Sequence, residues 1–417
     1  MTLRGITKNA KGAKVRRPNP TVPPLLSTAG AGKVRLGEVC EIAAGQGAPQ
    51  GDAMYSDVGT PFIKAGDLSR LLAGCREREV QKVTESTVRA CKLKLQPSGS
   101  LLFAKSGMSC MKGYVYRLRS DCYVVSHLAI IKPSEKVCSV YLEHCFRFNK
   151  PNRLVKDPAY PSISLADISD LVIPLPPLPT QQRIADELDQ LCALKKNAED
   201  RLAILDQIVK SRFVEMFGDP FANSKGFRMI SLSQLISHAN NGMTRRGKDS
   251  KGQIVLRIVE LRDGFIDYSN PNRIYVNEKE RERYLLVEND FLFVRVNGNP
   301  DYVGRCAYFK DIGEPVFHND HIIRVRFSED VDPTYMSTIL NGRYGKKEIR
   351  DKLKTSAGQY TINQDGIGAI NVPLPPLSLQ REFAAFVTEV DKSKVTLRET
   401  VATLDQLYRA KLKEYFG

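Results

Sequence analysis

An internal repeat with a period of about 200 residues constrains the fold of this chain more than any other feature. Residues 163–218 align without a gap with residues 362–417, and close to a third of the aligned residues are identical. Both copies contain Pro-Leu-Pro-Pro-Leu, at 174–178 and 373–377, and both end in Phe-Gly. Because the period is much longer than that of a solenoid, the repeat indicates two copies of one domain plan.

The repeat weakens upstream of these segments but keeps its order. The matching stretches are 62–68, 100–105, Gly107 and Gly113 in the first copy, and 255–261, 290–295, Gly298 and Gly304 in the second. The chain therefore divides into five parts: a basic arm at 1–30, a block at 31–178, a helical segment at 179–218, a second block at 219–377 and a second helical segment at 378–417.

Each block has the pattern of a strand-rich, mixed α/β domain. Short runs of β-forming residues, such as 128–131 and 291–294, stand between Gly, Asn, Asp and Pro residues. The run 321–327 alternates apolar and basic residues, which predicts a half-buried strand with a basic side facing solvent. A helix is expected within 334–354.

The two repeated segments predict long helices. Thr180 can cap the first one, which then contains no Gly or Pro before Gly218. Apolar residues recur at alternating spacings of four and three, as in a coiled-coil seam, and basic residues interrupt the seam at the same two positions of each copy. The apolar seam residues chosen for pairing or partner docking are Ile184, Leu188, Leu191, Leu202, Leu205, Val209, Phe383, Val387, Val390, Leu397, Val401 and Leu404.

These patterns together predict an α+β fold class. Because a whole block separates the two helices along the chain, we expect an antiparallel coiled coil that holds two similar, strand-rich α/β domains apart at its opposite ends.

Composition favours a nucleic-acid partner. Lys and Arg number 62 against 47 Asp and Glu, which gives a net charge of +15. Residues 1–30 are basic, contain no acidic residue and predict a flexible arm. The 9 cysteines form no Cys-x-x-Cys pair, and no apolar run reaches the roughly 18 residues of a membrane span. We expect a cytoplasmic protein with reduced cysteines, no metal site and no membrane partner.

The entries into the two helical segments carry a family resemblance. They read Ile-Pro-Leu-Pro-Pro-Leu-Pro-Thr-Gln-Gln-Arg-Ile at 173–184 and Val-Pro-Leu-Pro-Pro-Leu-Ser-Leu-Gln-Arg-Glu-Phe at 372–383. Together with the two-copy layout of 31–417, they resemble the specificity subunit of bacterial Type I restriction–modification systems, which has two target recognition domains and two repeated spacer helices. That family usually has a Glu-Gln pair after the prolines, whereas Thr180 and Leu379 stand here in place of the glutamate.

The resemblance implies a DNA-recognition subunit without catalysis of its own. Each recognition domain would read one half of a bipartite double-stranded DNA target, and the helices would set the unread gap and dock two modification subunits. The modification subunits would methylate adenine with S-adenosylmethionine, and restriction subunits, which combine a motor and a nuclease, would join them with ATP and Mg. The chain itself would bind no cofactor directly.

The candidate DNA contacts lie in loops and at strand ends. A basic cluster follows Gly242 in the second block, whereas the corresponding loop 45–51 of the first block is polar and uncharged. Lys105 and Arg295 occupy corresponding positions of the repeat. The full set is Arg245, Arg246, Lys248, Lys251, Lys105, Arg295, Gln46, Gln50, Tyr160, Gln359 and Tyr360.

Two other classes of function compete with DNA recognition. Asn299-Pro300-Asp301-Tyr302 is similar to the motif with which DNA adenine N6-methyltransferases hold the target base, although no glycine-rich cofactor loop precedes it. Alternatively, the chain is a coiled-coil adaptor whose Pro-Leu-Pro-Pro-Leu stretches are ligands for a proline-binding partner. His127, His318 and His321 are interpreted as ordinary core or surface histidines, because no third metal ligand lies at a suitable spacing.

Overall fold

The structure is a computed structural model, and it describes residues 32–356 and 358–417. The predicted arm at 1–30 lies outside the described residues. The chain divides into two compact units: the first contains the described residues up to Lys196 together with Ala402–Gly417, and the second is Asn197–Val401. Each unit contains one folded block and a part of each long helix.

The first block is built from short strands and helices. Its strands are β1 (Lys33–Arg35), β2 (Cys40–Ala44), β3 (Thr60–Ile63), β4 (Lys82–Val83), β5 (Leu101–Ala104), β6 (Val115–Arg117), β7 (Tyr123–Val124), β8 (Leu128–Pro133) and β9 (Val172–Pro174). Its α-helices are α1 (Leu36–Val39), α2 (Asp67–Leu72), α3 (Glu85–Cys91), α4 (Ser139–Phe148) and α5 (Leu165–Ser169). The first long helix, α6 (Leu178–Phe217), follows.

The second block repeats this order with additions. Its strands are β10 (Arg228–Ser231), β11 (Ile236–Asn241), β12 (Gln253–Leu256), β13 (Arg273–Ile274), β14 (Phe291–Val294), β15 (Val296–Asn297), β16 (Cys306–Tyr308), β17 (Val316–His318), β18 (Ile322–Phe327), β19 (Lys354–Ser356), β20 (Gln359–Thr361) and β21 (Asn371–Leu374). Its α-helices are α7 (Glu278–Tyr284), α8 (Pro333–Asn341), α9 (Arg343–Arg350) and α10 (Gln364–Gly368), and the second long helix is α11 (Leu377–Phe416).

The sheet topology shows that the diverged blocks are true repeats. A four-stranded sheet has the order β2-β8-β5-β6 in the first block and β11-β18-β14-β16 in the second. A three-stranded sheet has the order β4-β3-β7 in one and β13-β12-β17 in the other, each with one parallel pair. The pairs β1-β9 and β10-β21 join the start of each block to the strand that leads into a long helix. The predicted fold class is confirmed.

Two equivalent glycines are required where β2 and β11 end. A Cβ on Gly45 would lie 2.1 Å from the carbonyl oxygen of Val125, and a Cβ on Gly242 would lie 2.3 Å from that of Asn319. Both loops therefore begin with a close backbone approach that admits no side chain. Packing therefore requires glycine at both positions.

One strand prediction is wrong in detail. The alternating run at 321–327 forms β18, but Arg324 is only 5% exposed instead of facing solvent. β18 lies between β11 and β14, and Arg324 donates a hydrogen bond to the carbonyl of Leu285, which covers this face of the sheet. Arg326 is half-exposed and forms an ion pair with the buried Asp290. Neighbouring chain segments cover the face of β18 that was expected to face solvent, and periodicity along the strand does not reveal such coverage.

The helix expected within 334–354 is two helices. The backbone breaks between α8 and α9 at Gly342. A Cβ on Gly345, in the first turns of α9, would lie 2.4 Å from the carbonyl oxygen of Ile339. α9 therefore turns tightly against the end of α8, and glycine permits this close contact.

The two long helices pair antiparallel within each unit. The basic residues that interrupt the seam each meet an acidic residue of the other helix, which explains why both copies keep them. The pairs are Lys195 with Asp405 (2.5 Å) and Lys411 with Glu187 (3.1 Å) in the first unit, and Lys394 with Asp206 (2.8 Å) and Arg212 with Glu382 (2.9 Å) in the second. Since these cations are partly or largely buried, the pairs favour a single register of the helices.

The seam residues face inward. Ile184, Leu188, Phe383 and Val390 are buried, and the other apolar seam residues chosen from the sequence are half-buried. The predicted cap is wrong, because α6 begins at Leu178 and not after Thr180. Its first turn includes Pro179, whose missing amide donor costs nothing at that position.

Each long helix is anchored to its block by a buried glutamine from the repeated motif. The side-chain amide of Gln181 donates to the carbonyls of Pro176 (2.8 Å) and Lys136 (3.0 Å), and its oxygen accepts from the amide of Cys138 (2.8 Å). Gln380 makes the equivalent contacts with Pro375 (2.8 Å), Asp330 and Asp332.

A tyrosine of each block completes the anchor. Tyr141 donates to the carbonyl of Pro174, and Tyr335 donates to that of Pro373. The motif carbonyls are therefore engaged within the protein. They are not presented to a proline-binding partner, which argues against the adaptor interpretation.

Replacing Gln181 with Leu is expected to lower the free energy of unfolding by about 3 kcal/mol, because it leaves three buried or partly buried backbone groups without their side-chain partner. Urea unfolding would measure the change. Gln182→Leu is the matched control, since Gln182 is exposed and contacts only side chains, Asp186 of its own helix and the thiol of Cys138, and no backbone group among the described residues. Equal destabilisation by both variants would contradict the anchoring role.

Candidate DNA interface

Several of the predicted contacts of the first block are brought together where strands end. The amide of Ser126 donates to the carbonyl of Gln46 (2.7 Å), and the amide of Lys105 donates to that of His127 (2.9 Å). The carbonyl of Lys105 in turn accepts from the amide of Ile163 (2.8 Å). We call this row of hydrogen-bonded loop residues the strand-end edge of the block.

The second block has the same edge with different side chains. The amide of Asp320 donates to the carbonyl of Met243 (3.0 Å), and the amide of Arg295 donates to that of His321 (2.8 Å). The carbonyl of Arg295 accepts from the amide of Ile362 (3.0 Å). The backbone framework is therefore duplicated, whereas the groups that it presents differ between the copies.

Lys105 and Arg295 occupy equivalent positions at the centre of the two edges. Both side chains are half-buried, and among residues 32–356 and 358–417 neither has an acidic partner. An unpaired cation at a rigid backbone position is suited to contact a phosphate or a base edge. Among the DNA contacts predicted from the sequence, these two residues have the structural surroundings that best suit a contact with DNA.

The basic loop after Gly242 is partly neutralised. Arg245 forms an ion pair with Glu280 (3.0 Å), and Arg246 forms one with Asp320 (2.8 Å). Lys248 and Lys251 are exposed and have no acidic partner in the described part of the chain. The loop thus offers two free ammonium groups, while its arginines are held by acids that DNA phosphates would have to displace.

Lys248 also lines a small concavity. The cavity has a volume of about 410 Å³, and its other polar walls include Arg257, Asn270 and Arg273. Arg257 and Arg273 are paired with Glu260 and Glu314 respectively. The concavity is therefore polar, with Lys248 as its unpaired cation among the described residues.

The glutamines of the first block are poorly placed for DNA contact. The amide of Gln46 donates to the carbonyl of Lys92 (2.9 Å), and its oxygen accepts from the amide of Lys94. Gln50 is exposed but folds back onto the carbonyl of Ala48 (2.8 Å). Gln46 therefore joins its loop to the segment 92–94, since both ends of its amide are already used.

The candidates from the later loops are accessible. Tyr160 is 83% exposed and lies just before the edge residue Ile163. Gln359 is exposed on β20, and Tyr360 is half-buried opposite Asn297 of β15. Of these, Tyr160 presents the largest free aromatic surface for stacking or groove contact.

Two histidines, interpreted from the sequence as ordinary core or surface residues, lie at the strand-end edges of the two blocks. His127 is exposed and its Nδ1 lies 2.8 Å from the hydroxyl of Ser106, while the Nε2 of His321 lies 3.3 Å from the guanidinium of Arg246. Their signal in the sequence is that each immediately precedes an equivalent strand, β8 or β18. His318 differs, since burial and the charge of Arg324 lower its pKa to about 3. It is a core residue, and its ring nitrogens have no partner within the described chain.

The possible methyltransferase motif is a structural turn. Pro300–Tyr302 forms a single 3-10 turn, in which the side chain of Asn299 accepts a hydrogen bond from the amide of Asp301 (3.0 Å). Asp301 forms an ion pair with Arg350 (3.4 Å). A base-binding asparagine needs its amide free for the target base, whereas this one caps its own turn.

Metal and membrane sites are not found in the described residues. Across residues 32–356 and 358–417, no three His, Cys, Asp or Glu side chains are grouped so as to hold a metal ion. No helix in that part of the chain is long and apolar enough to cross a membrane.

Comparison with known proteins agrees with the duplicated architecture. The family model described as "Type I restriction modification DNA specificity domain" matches residues 30–204 and again residues 241–406. The chain is 29% identical over 328 residues to the Type I restriction enzyme StySPI specificity subunit of Salmonella potsdam, which covers 74% of this chain and 71% of the relative. It is 25% identical over 329 residues to the EcoKI specificity subunit of Escherichia coli K12, with the same coverage.

Solved structures support the same fold. The S subunit of a Type I restriction–modification system from M. genitalium matches with a TM-score of 0.59 and 14% identity, over 93% of this chain and 96% of that one. A second structure, from work on complex assembly and conformational transition of the Type I R-M system, matches with a TM-score of 0.51 and 16% identity, over 93% and 97% of the two chains.

Proposed function

We propose how this chain works from the premise that it belongs to the Type I restriction–modification DNA specificity family, as its two family-model matches establish. It is a specificity subunit with two DNA-recognition domains. This confirms the prediction of a DNA-recognition subunit instead of a methyltransferase or an adaptor. Each domain reads one half of a bipartite double-stranded target. The two long helices set the number of unread base pairs between the halves.

The duplicated strand-end edge carries this proposal. Lys105 and Arg295 have the same backbone hydrogen bonds in the two domains, whereas the loops beside them differ in charge. A shared backbone with different side chains is what two readers of different sequences require, since backbone-positioned cations hold the duplex and the neighbouring side chains discriminate bases.

The partners follow from the family. The helices dock two modification subunits that methylate adenine, and restriction subunits with motor and nuclease activity join this complex in the cytoplasm. S-adenosylmethionine, ATP and Mg are bound by those partners, and this chain binds none of them directly. Its own contribution is the choice of DNA site.

Replacing Lys105 or Arg295 with Ala is expected to weaken DNA binding by a similar factor for all sequences, if the cation contacts phosphate. The slope of log K against log salt should then decrease by about 1 per variant. Titration of the complex onto target and non-target duplexes at several salt concentrations would measure both effects.

Lys33→Ala and Arg228→Ala are the matched controls. Both residues are exposed on strands, β1 and β10, that pair with the strands leading into the long helices and not with the edge. Unchanged affinity and salt slope in both edge variants would refute the assignment of the strand-end edge as the DNA interface.

A further inference from the structure

A cleft in the second unit is not used by the proposed DNA interface. It has a volume of about 830 Å³ and lies between the last turns of α6, the segment 219–221, the turn at Pro300–Tyr302 and the corner between α8 and α9. We call it the helix-end cleft. All of its lining residues belong to the second unit.

The floor of the helix-end cleft is apolar. Phe213, Val303 and Leu340 lie beneath it in the core of the unit, so the apolar surface open to an occupant comes from other lining residues. Val214 is 54% exposed and Phe221 is 47% exposed at its edge. Large apolar side chains that line a concave surface are typical of a site where another chain is bound.

The rim of the cleft is basic. Its positively charged lining residues are Lys210, Arg305, Arg343, Lys346, Lys347 and Arg350. Its negatively charged lining residues are Asp219 and Asp301. Four of the cations are paired with carboxylates: Arg305 and Lys346 with Asp263, Lys347 with Asp351, and Arg350 with Asp301.

Two cations of the rim remain available. Within the described ranges, Lys210 and Arg343 have no acidic partner, and the guanidinium of Arg343 lies 5.8 Å from the ring centre of Phe221. They stand on different walls of the cleft, Lys210 on α6 and Arg343 at the start of α9. An occupant would therefore meet positive charge from two sides and an aromatic ring beside one of them.

One wall is particular to the second domain. Two helices, α8 and α9, form the corner. In the first domain, the described residues between α4 and α5 include only a 3-10 turn at Pro151–Leu154. The cleft is thus not a by-product of the common domain plan.

The chemistry of the cleft selects its occupant. DNA phosphates would match Lys210 and Arg343 but would leave the exposed apolar side chains of Val214 and Phe221 without a partner. The arm at 1–30 contains basic and no acidic residues, so it has the wrong sign of charge. An acidic protein segment with apolar side chains satisfies both the rim and the floor.

We propose that the helix-end cleft binds an acidic segment of a modification subunit, anchored by an apolar side chain over Phe221 and Val214. This inference rests on the proposed function, in which modification subunits dock on this chain. The carboxylates of the segment pair with Lys210 and Arg343 from opposite walls. Such pairs act mainly on the association rate and on specificity, and the apolar anchor acts on the dissociation rate.

Calorimetric titration of the full chain with the modification subunit tests the proposal. Lys210→Glu combined with Arg343→Glu is expected to weaken the association of one of the two modification subunits at least tenfold in low salt, with a smaller loss in high salt because exposed charges are screened. Phe221→Ser should weaken it at every salt concentration. The matched control is Lys33→Glu combined with Arg228→Glu, which reverses two exposed charges outside the cleft.

The outcomes are distinguishable. Association that is unchanged in both cleft variants would overturn the cleft as a docking site and leave the proposed function intact. Failure of the unaltered chain to bind the modification subunit would overturn the proposed function together with this inference. Thermal unfolding of each variant shows whether it is folded, and DNA affinity that falls as much as subunit affinity would assign the cleft to DNA instead.

Discussion

Replacing residues 219–377 with the corresponding domain of another family member is expected to change one half of the DNA target completely and to leave the other half as it was. Each domain has its own strand-end edge, and the core of the first block is separate from those of the second. The donor should retain the Pro-Leu-Pro-Pro-Leu entry, so that Gln380 of the recipient helix can rebuild its anchor on the carbonyl that corresponds to Pro375. Genome-wide mapping of methylated adenines in a host with the complete system would reveal the new target.

The reciprocal replacement of residues 31–178 is the matched control. It should change the other half of the target and preserve the half that the first exchange altered. A map in which either exchange altered both halves would show that the two domains do not read independently, and the proposed division of labour would be wrong.

Inserting seven residues into each long helix is expected to lengthen the unread gap by about three base pairs. Seven residues add about 10 Å at 1.5 Å per residue, and a heptad restores the seam on both sides of the insertion. The insertions belong between Lys196 and Asn197 and between Val401 and Ala402, where the division into units falls. Each unit then keeps its own helix-to-helix ion pairs, such as Lys195 with Asp405 and Lys394 with Asp206.

We expect the complex with the double insertion to methylate DNA more slowly, as well as at a target with a longer gap. Three base pairs rotate the far half-site by roughly a third of a turn, since the duplex repeats every 10–10.5 base pairs, and the protein or the DNA must twist to compensate. The chain without insertions is the control, and its complex should methylate the original spacing. A doubly inserted chain that still methylated the original spacing would refute the helices as the determinant of the gap.

The fold was predictable to the extent that it is periodic. Two long helices follow from a seam maintained over their whole length, and their basic interruptions at Lys195 and Lys394 were visible as repeated exceptions. The reason for these basic interruptions was not visible in the sequence. The acidic partners Asp405 and Asp206 lie outside the seam positions, and they contact the lysines only when the two helices pair. Similarly, the single helix expected around Gly342 is two helices, since close packing and not periodicity decides where the chain turns.

The candidate interface was predictable in position but not in its contacts. The equivalence of Lys105 and Arg295 followed from alignment alone, and the structure places both on the same backbone framework. Gln46 was chosen for its polarity, yet its amide is used by its own domain. The edge histidine His127 was passed over because a lone histidine carries no signal until the strands that flank it are assembled.

The sequence by itself determined that this chain has two copies of one domain plan and two long helices. It also indicated that the diverged blocks recognise different targets and that the similar helices form a common framework. Duplication and seam periodicity are visible in the order of residues along the chain. Only the tertiary structure decided that the repeated glutamines anchor the helices, that Arg324 is buried and that Asn299 caps a turn. Those outcomes depend on groups distant in sequence that satisfy one another's hydrogen bonds and charges, and a single chain of letters does not show which of them meet.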